Sequence, residues 1–522
     1  MQGCVFALVA AWGTMAVAQA PASPAAPLAS ACQVGVKADK KDEWEREPNA
    51  KSSVTRHRLS AAGRSIEYTA TAGLLVIRDD EDKPVANLSY VAYTRRDEKD
   101  LSARPILFAF NGGPGSSSLW LHMGALGPKR VVVSDPDPTP AAPFRIVDNE
   151  FGVLDKSDLV MIDPVGTGLS RAVCGHKDEE FWGVDADVDS ISRFIAQYVS
   201  DNNRWSSPKY LLGESYGTTR AAAIVDYLRT HRSLTFNGLV LVSVATDIEA
   251  LFAEIPGNDR PYALYLPGYA AVAWYHHVLP EPPPALEPFL QEARRYAAGP
   301  FTAALLKGDS LSDEERTAVA EQMHHYTGLS VDYLKAANLR VSEGAFTHEL
   351  LKSQHQTLGR LDARYVGPTM DPLQKYAEYD PLSEAISAAY TAAFLDYYHG
   401  ELKFGQDVTY RDPSFGVEEK WKWSHRPGGS GGQPIVNTGV DLARTLVQDS
   451  NLRVLVLSGY YDLATPFSAM EYEMRHLGVP PEVSSRIQIQ YYEAGHMMYV
   501  HLPSLRKMKR DLDAFIDATA RH

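Results

Sequence analysis

Five short apolar runs punctuate the chain: ILFAF (106–110), DLVMI (158–162), KYLL (209–212), LVLVSV (239–244) and LRVLVL (452–457). They run apolar without the alternation of a half-exposed strand, so each suits a parallel sheet covered on both faces. Covering such a sheet takes helices. The clearest is marked by Val184, Val188, Ile191, Ile195 and Val199, a spacing that lays one apolar stripe against the sheet. Strands alternating with helices predict an α/β fold with a central, mostly parallel sheet. Over 64–95 the pattern becomes apolar–polar alternation around turn residues, which predicts antiparallel hairpins at the N-terminal side.

The rhythm breaks between 248 and 433, where EPPPALEP, amphipathic helical stretches, clustered aromatics and the joint RPGGSGGQP occur, and then it resumes. The expected organisation has five parts: a signal peptide over 1–20, a flexible leader over 21–50, a core over 51–247, an inserted and mostly helical cap over 248–433, and the rest of the core over 434–522. Residues 1–20 are apolar and end in small residues suited to signal peptidase, with Pro21 and Pro24 following, too short a run for a membrane span. The first basic residue is Lys37, so the usual positive start of a signal is missing. Export to the periplasm or the medium is expected. Of three cysteines, Cys4 would leave with the signal; Cys32 and Cys174 remain, as one disulfide or as two thiols.

With 45% hydrophobic residues, the 522-residue chain can bury a large core. A formal charge of -14, from 51 basic and 65 acidic residues, argues against binding nucleic acid or anionic membranes.

The chemistry gathers at Gly213-Glu214-Ser215-Tyr216-Gly217, a G-x-S-x-G elbow whose glycines permit a tight strand-to-helix turn that exposes a serine hydroxyl. Roughly 0.2 such matches are expected by chance in a chain of this length, but KYLL precedes this one and the helix-compatible TTRAAAIVDYLR follows. A serine needs a base, and the base an orienting acid, following in the order serine, acid, histidine in this kind of fold. Asp462 lies just past the run 452–457, and His496 lies in a glycine-containing loop before the last helix. By themselves these two residues read equally as a helix N-cap and a polar loop residue; their places after consecutive strands single them out. Phe108–Trp120, FAFNGGPGSSSLW, supplies a glycine-rich turn where an oxyanion donor would be needed.

Together, Asn111-Gly112-Gly113-Pro114-Gly115, Asp163-Pro164-Val165-Gly166-Thr167-Gly168, Gly213–Tyr216, Ser458-Gly459 with Asp462, and Gly495-His496-Met497 resemble the serine carboxypeptidase family, as a divergent member of bacterial type. The resemblance implies an α/β-hydrolase fold, with Ser215 as nucleophile, His496 as base, Asp462 as its orienter, and the amides of Gly113 and Tyr216 as the oxyanion hole. It also implies a role for the carboxyl beside the nucleophile: Glu214, when neutral, and Asn111 would bind the C-terminal carboxylate of a peptide. A neutral acid donates to a carboxylate whereas an ionised one repels it, so KM is expected to rise from about pH 5 to 7.

Departures from the family pattern accompany the match. Ala125 stands where a second acid is common, Ser116 where a cysteine is usual, Tyr460 where an acid often precedes the triad aspartate, and Gly217-Thr218 where Ala-Gly is usual. The expected activity is release of single residues from peptide or protein C-termini. An esterase or acyltransferase with the same triad is the alternative, and a non-catalytic binding protein is disfavoured because each triad position is filled. The pairs His276-His277 and His324-His325 lack an HExxH and read as solvated helix residues, so no metal and no cofactor are expected.

Overall fold

The computed structural model describes residues 47–520 apart from 62, 253–256 and 430. The expected signal peptide and the leader up to residue 46 lie outside the described residues, as do Cys4 and Cys32. Cys174 is disulfide-bonded. No described helix is long and apolar enough to cross a membrane.

Strands β1 (Ser52–Ala61), β2 (Arg64–Arg78) and β3 (Pro84–Arg95) form an antiparallel meander. Next come β4 (Ile106–Phe110), a separate hairpin of β5 (Lys129–Val132) and β6 (Arg145–Asp148), then β7 (Asp158–Ile162) and the short β8 (Arg171–Ala172). They are followed by β9 (Lys209–Glu214) and β10 (Gly238–Val242), a small hairpin of β11 (Gln356–Leu358) and β12 (Val366–Pro368), and finally β13 (Arg453–Gly459) and β14 (Ile487–Tyr492). The main sheet runs β1-β2-β3-β7-β4-β9-β10-β13-β14, with β8 beside β3. β3 meets β7 antiparallel, and from β7 to β14 every pairing is parallel.

Successive residues of each central strand point to opposite cores, as the pleat requires. Leu107, Ala109, Tyr210, Leu212, Val240, Val242, Leu455 and Leu457 enter one core. Ile106, Phe108, Leu211, Leu239, Leu241, Val454 and Val456 enter the other, where the stripe Val188, Ile191, Ile195 and Val199 of the helix Val184–Asp201 covers them. That is why the central runs are apolar throughout. β1 has no such signature: its Val54 is 63% exposed while Leu59 is buried, so only one face of an edge strand is covered.

Between β10 and β13 the chain forms a series of helices, among them Arg260–Tyr275, Leu286–Tyr296, Asp313–Thr327 and Pro381–Gly400. The first three share a core that also takes in Leu463 and Phe467. The last does not: its Leu382, Ile386, Tyr390, Phe394 and Tyr397 pack into the core of the main sheet.

Candidate active site

Strand β9 ends in Glu214, and the helix Tyr216–Arg232 begins two residues later. Ser215 makes the turn at φ 59° and ψ −130°, a backbone region costly to any residue with a Cβ and held only by its surroundings. Those surroundings are tight. A Cβ on Gly213 would sit 2.0 Å from the carbonyl oxygen of Gly217, and one on Gly112 would sit 2.6 Å from both the Glu214 oxygen and the Tyr216 nitrogen. Thr218 locks the turn, its hydroxyl donating to the Ser215 carbonyl (2.7 Å) and accepting from Ala245 N (2.8 Å).

Parallel strand ends bring the other residues to the same edge. Ser215 N donates to Val242 O, Ser243 N donates to Leu457 O, and the Ser243 hydroxyl donates to the carbonyl of His496 at 2.7 Å. His496 Nδ1 lies 2.8 Å from Asp462 Oδ2. The carboxylate is fixed in turn: Oδ1 accepts from the amides of Ala464 and Thr465, and Oδ2 accepts from the Thr465 hydroxyl. Burial opposes a charged imidazole, but Asp462, through its charge and its hydrogen bond, outweighs it; Glu214 adds to this and Arg360 subtracts, so His496 lies above the ordinary histidine value. Among the described residues, neither Ser215 Oγ nor His496 Nε2 has a hydrogen-bond partner, so the elbow and the imidazole share one edge without a bond between them.

Glu214 is fully buried. Its Oε1 accepts from Asn111 Nδ2 at 2.8 Å and from the Tyr499 hydroxyl at 3.3 Å, while Oε2 has no partner. Burial pushes this carboxyl up to about 7 against the pull of His496, Tyr499 and Asn111. Asn111 is held at both ends: Oδ1 accepts from Leu121 N at 3.0 Å, and its backbone carbonyl accepts from Arg220 at 2.7 Å. Arg220 is itself buried and paired with Asp187 at 2.7 Å. The amides of Gly113 and Tyr216 have no partner among the described residues, and the close approach of Gly112 to the Tyr216 nitrogen shows that the two turns abut.

Residues 64–250 match the model of the serine carboxypeptidase family. The match takes in Asn111, Glu214 and Ser215 and ends before Asp462 and His496. Serine carboxypeptidase-like 9 of Arabidopsis thaliana is 24% identical over 195 residues, which is 35% of this chain and 41% of that protein, so the match spans less than half of the relative's length. A crystal structure of KEX1(delta)p, a prohormone-processing carboxypeptidase of Saccharomyces cerevisiae, has 16% identity and a TM-score of 0.53, covering 86% of this chain and 92% of that one. Its likeness shows the α/β-hydrolase fold.

The departures from the family's usual pattern also have places. Ala125 is buried, and its neighbour Gly124 is so crowded that a Cβ there would lie 2.5 Å from the ring of Tyr499 and 2.7 Å from the hydroxyl of Tyr390. Tyr460 donates to Glu287 at 3.0 Å and stacks on Tyr491. His276 and His324 bond to the carbonyls of Ala363 and Leu329.

The residues that sequence reasoning missed come mainly from the segment between β10 and β13. The loop after β11 grips the histidine turn: His496 N donates to Leu361 O at 2.6 Å, Gly495 N donates to Asp362 Oδ2 at 2.9 Å, and Leu463 N donates to Arg360 O. Asp362 is buried against Arg364, which also pairs with Asp135. Asp362→Ala would strip a buried guanidinium and a buried amide of their partner, so a loss of about 3 kcal/mol is expected. Denaturant unfolding measures that loss, and kcat should fall as the histidine turn loosens. A variant as stable as the wild type would show that Asp135 alone suffices for Arg364.

Proposed function

We propose that the protein is a serine-type carboxypeptidase releasing single residues from the C-termini of peptides through an acyl-enzyme at Ser215. The observation that carries this reading is Glu214: a buried carboxyl, neutral below about pH 7, next to the elbow serine and with one oxygen free to donate. An enzyme acting on internal or uncharged acyl groups has no need for such a group there. A peptide's terminal carboxylate does, since a neutral acid and an amide can both donate to it.

In the proposed reaction Ser215 Oγ attacks the last peptide carbonyl while His496 Nε2 takes the hydroxyl proton, a contact that closes as substrate binds. Asp462 keeps the imidazole proton on Nδ1 and stabilises the imidazolium. The carbonyl oxygen, now negative, receives the amides of Gly113 and Tyr216. His496 then passes its proton to the departing amino group as the C–N bond breaks. Water, deprotonated by the same imidazole, cleaves the ester and restores Ser215. Residues 248–433 would serve as a cap over this edge, contributing the loop that steadies His496. Export, inferred from residues 1–20, is part of the proposal.

A second reading, esterase or acyltransferase, is favoured by one feature: Ala125 supplies no acid where the family commonly has one. Incubating the pure protein with a blocked peptide and a matched ester, and following release of the C-terminal residue, separates the two. Ester turnover without any trimming of the peptide would support the second reading, and no labelling by a fluorophosphonate would remove both.

The pH dependence follows from Glu214. Its value lies above the ordinary 4.5, so it is the protonated donor at pH 5 and becomes a repelling carboxylate as pH rises through about 7. KM for peptides should hold steady to near neutrality and climb about tenfold per pH unit above it, a window higher than the sequence alone suggested. Glu214→Gln, a donor at every pH, should flatten the climb. A wild-type KM that stays level to pH 9 would count against the role.

A further inference from the structure

We propose that Tyr499 is a positioning residue of the carboxylate-binding site, standing in for the acid that Ala125 does not provide and fixing the proton of Glu214 on Oε2. The inference rests on the carboxypeptidase reading and adds to it a residue outside the triad, the oxyanion turn and the Asn111–Glu214 pair.

Two donors converge on one oxygen. Asn111 Nδ2 and the Tyr499 hydroxyl both reach Glu214 Oε1, at 2.8 and 3.3 Å. An oxygen that accepts two hydrogen bonds is the carbonyl oxygen of a neutral acid, because the O–H oxygen is the poorer acceptor. The proton therefore sits on Oε2, which is buried and has no protein partner. A neutral acid held this way keeps its O–H unengaged by any described protein group. Without the second donor, the acid is held by Asn111 alone and its two oxygens can exchange roles.

The position of Tyr499 explains how a chain with Ala125 can manage this. The Tyr499 ring and the Tyr390 hydroxyl fill the space beside Gly124, the residue next to Ala125. Where an acid paired with Glu214 would share a single proton between two carboxyls, a phenol keeps its own proton at working pH, since burial pushes the Tyr499 hydroxyl far above its ordinary value. The pair thus holds one titrating group in place of two. The other groups acting on Glu214 are His496, from the turn after β14, Asp462, from the turn after β13, and Tyr390, from the helix Pro381–Gly400. Only Tyr499 and Asn111 touch it with a donor among the described residues.

Tyr499→Phe removes the hydroxyl and keeps the ring in its packing. Difference infrared spectra of the full-length protein give a direct readout: a protonated carboxyl C=O band, lost in Glu214→Gln, should vanish in the wild type as pH rises through about 7. In Tyr499→Phe the band should move to higher frequency, because its oxygen has lost a donor, and its disappearance should move up by about one pH unit, because the carboxylate has lost one too. Peptide KM at pH 5 should rise about three- to tenfold. Tyr390→Phe, which deletes a hydroxyl that does not bond Glu214, should leave the band where it is. A Tyr499→Phe band and titration identical to the wild type would overturn the proposal whatever happens to KM. Absence of C-terminal release by a wild type whose band behaves as described would instead refute the peptidase reading and leave the placement of the proton standing.

Discussion

Ser215→Ala should lower kcat by about 10⁶-fold while leaving the fold and substrate binding intact. The Ser215 hydroxyl makes no hydrogen bond among the described residues, so its removal leaves no partner unsatisfied. The strained turn is no worse for alanine, which has the same Cβ; unfolding free energy should stay within about 0.5 kcal/mol. What remains after the loss is the catalysis that Gly113, Tyr216 and the carboxylate site can supply without a nucleophile, about 10³-fold over water. Single-turnover assays with a blocked peptide, and mass spectrometry after fluorophosphonate treatment, measure the two halves of the claim. Residual turnover above about one per cent would mean that another group attacks.

Asp462→Asn should cost about 10⁴-fold in kcat, and the reason is specific to how this carboxylate is held. Oδ1 accepts from two backbone amides, of Ala464 and Thr465. An asparagine must keep its oxygen there, so its NH₂ faces His496 Nδ1. That nitrogen must then accept, the imidazole proton moves to Nε2, and the nitrogen that should take the serine proton already carries one. Loss of the Asp462 charge also removes what holds the imidazole above its ordinary value, so the acid limb of kcat/KM should move to lower pH. A variant within tenfold of the wild type would show that His496 does not act through this bond.

His496 and Glu214 make opposite demands on the same solution. In the proposed mechanism the base works only when neutral, above its raised value, and the carboxyl binds substrate only when protonated, below about 7. Each also biases the other, since a charged imidazole favours a charged Glu214. The productive state of the proposed mechanism is the one with a neutral imidazole and the proton on the carboxyl.

Much of this was legible in the primary structure because the responsible signals are local. The central strands declare themselves by runs with no polar face, the helix Val184–Asp201 by its stripe, and the elbow by glycines that only a tight crossing demands. Asp462 and His496 were locatable because each follows a strand, and parallel strands deliver their ends to one edge. The strand β1 escaped because an edge strand covered on one face needs few apolar residues, and β11–β12 escaped because three-residue strands show no period.

The sequence by itself determined the layered α/β architecture, the places of Ser215, Asp462 and His496 after successive strands and the presence of a carboxyl beside the serine, since periodicity, turn chemistry and chain order all act within a few residues. Only the tertiary structure decided the state of that carboxyl and who holds it. Tyr499 meets Glu214 across 285 residues, Arg220 meets Asn111 across 109, and Asp362 meets Gly495 across 133. No local pattern encodes such contacts. They arise when separate surfaces close over one another and exclude water, and it is that exclusion which raises Glu214 above the ordinary carboxyl value.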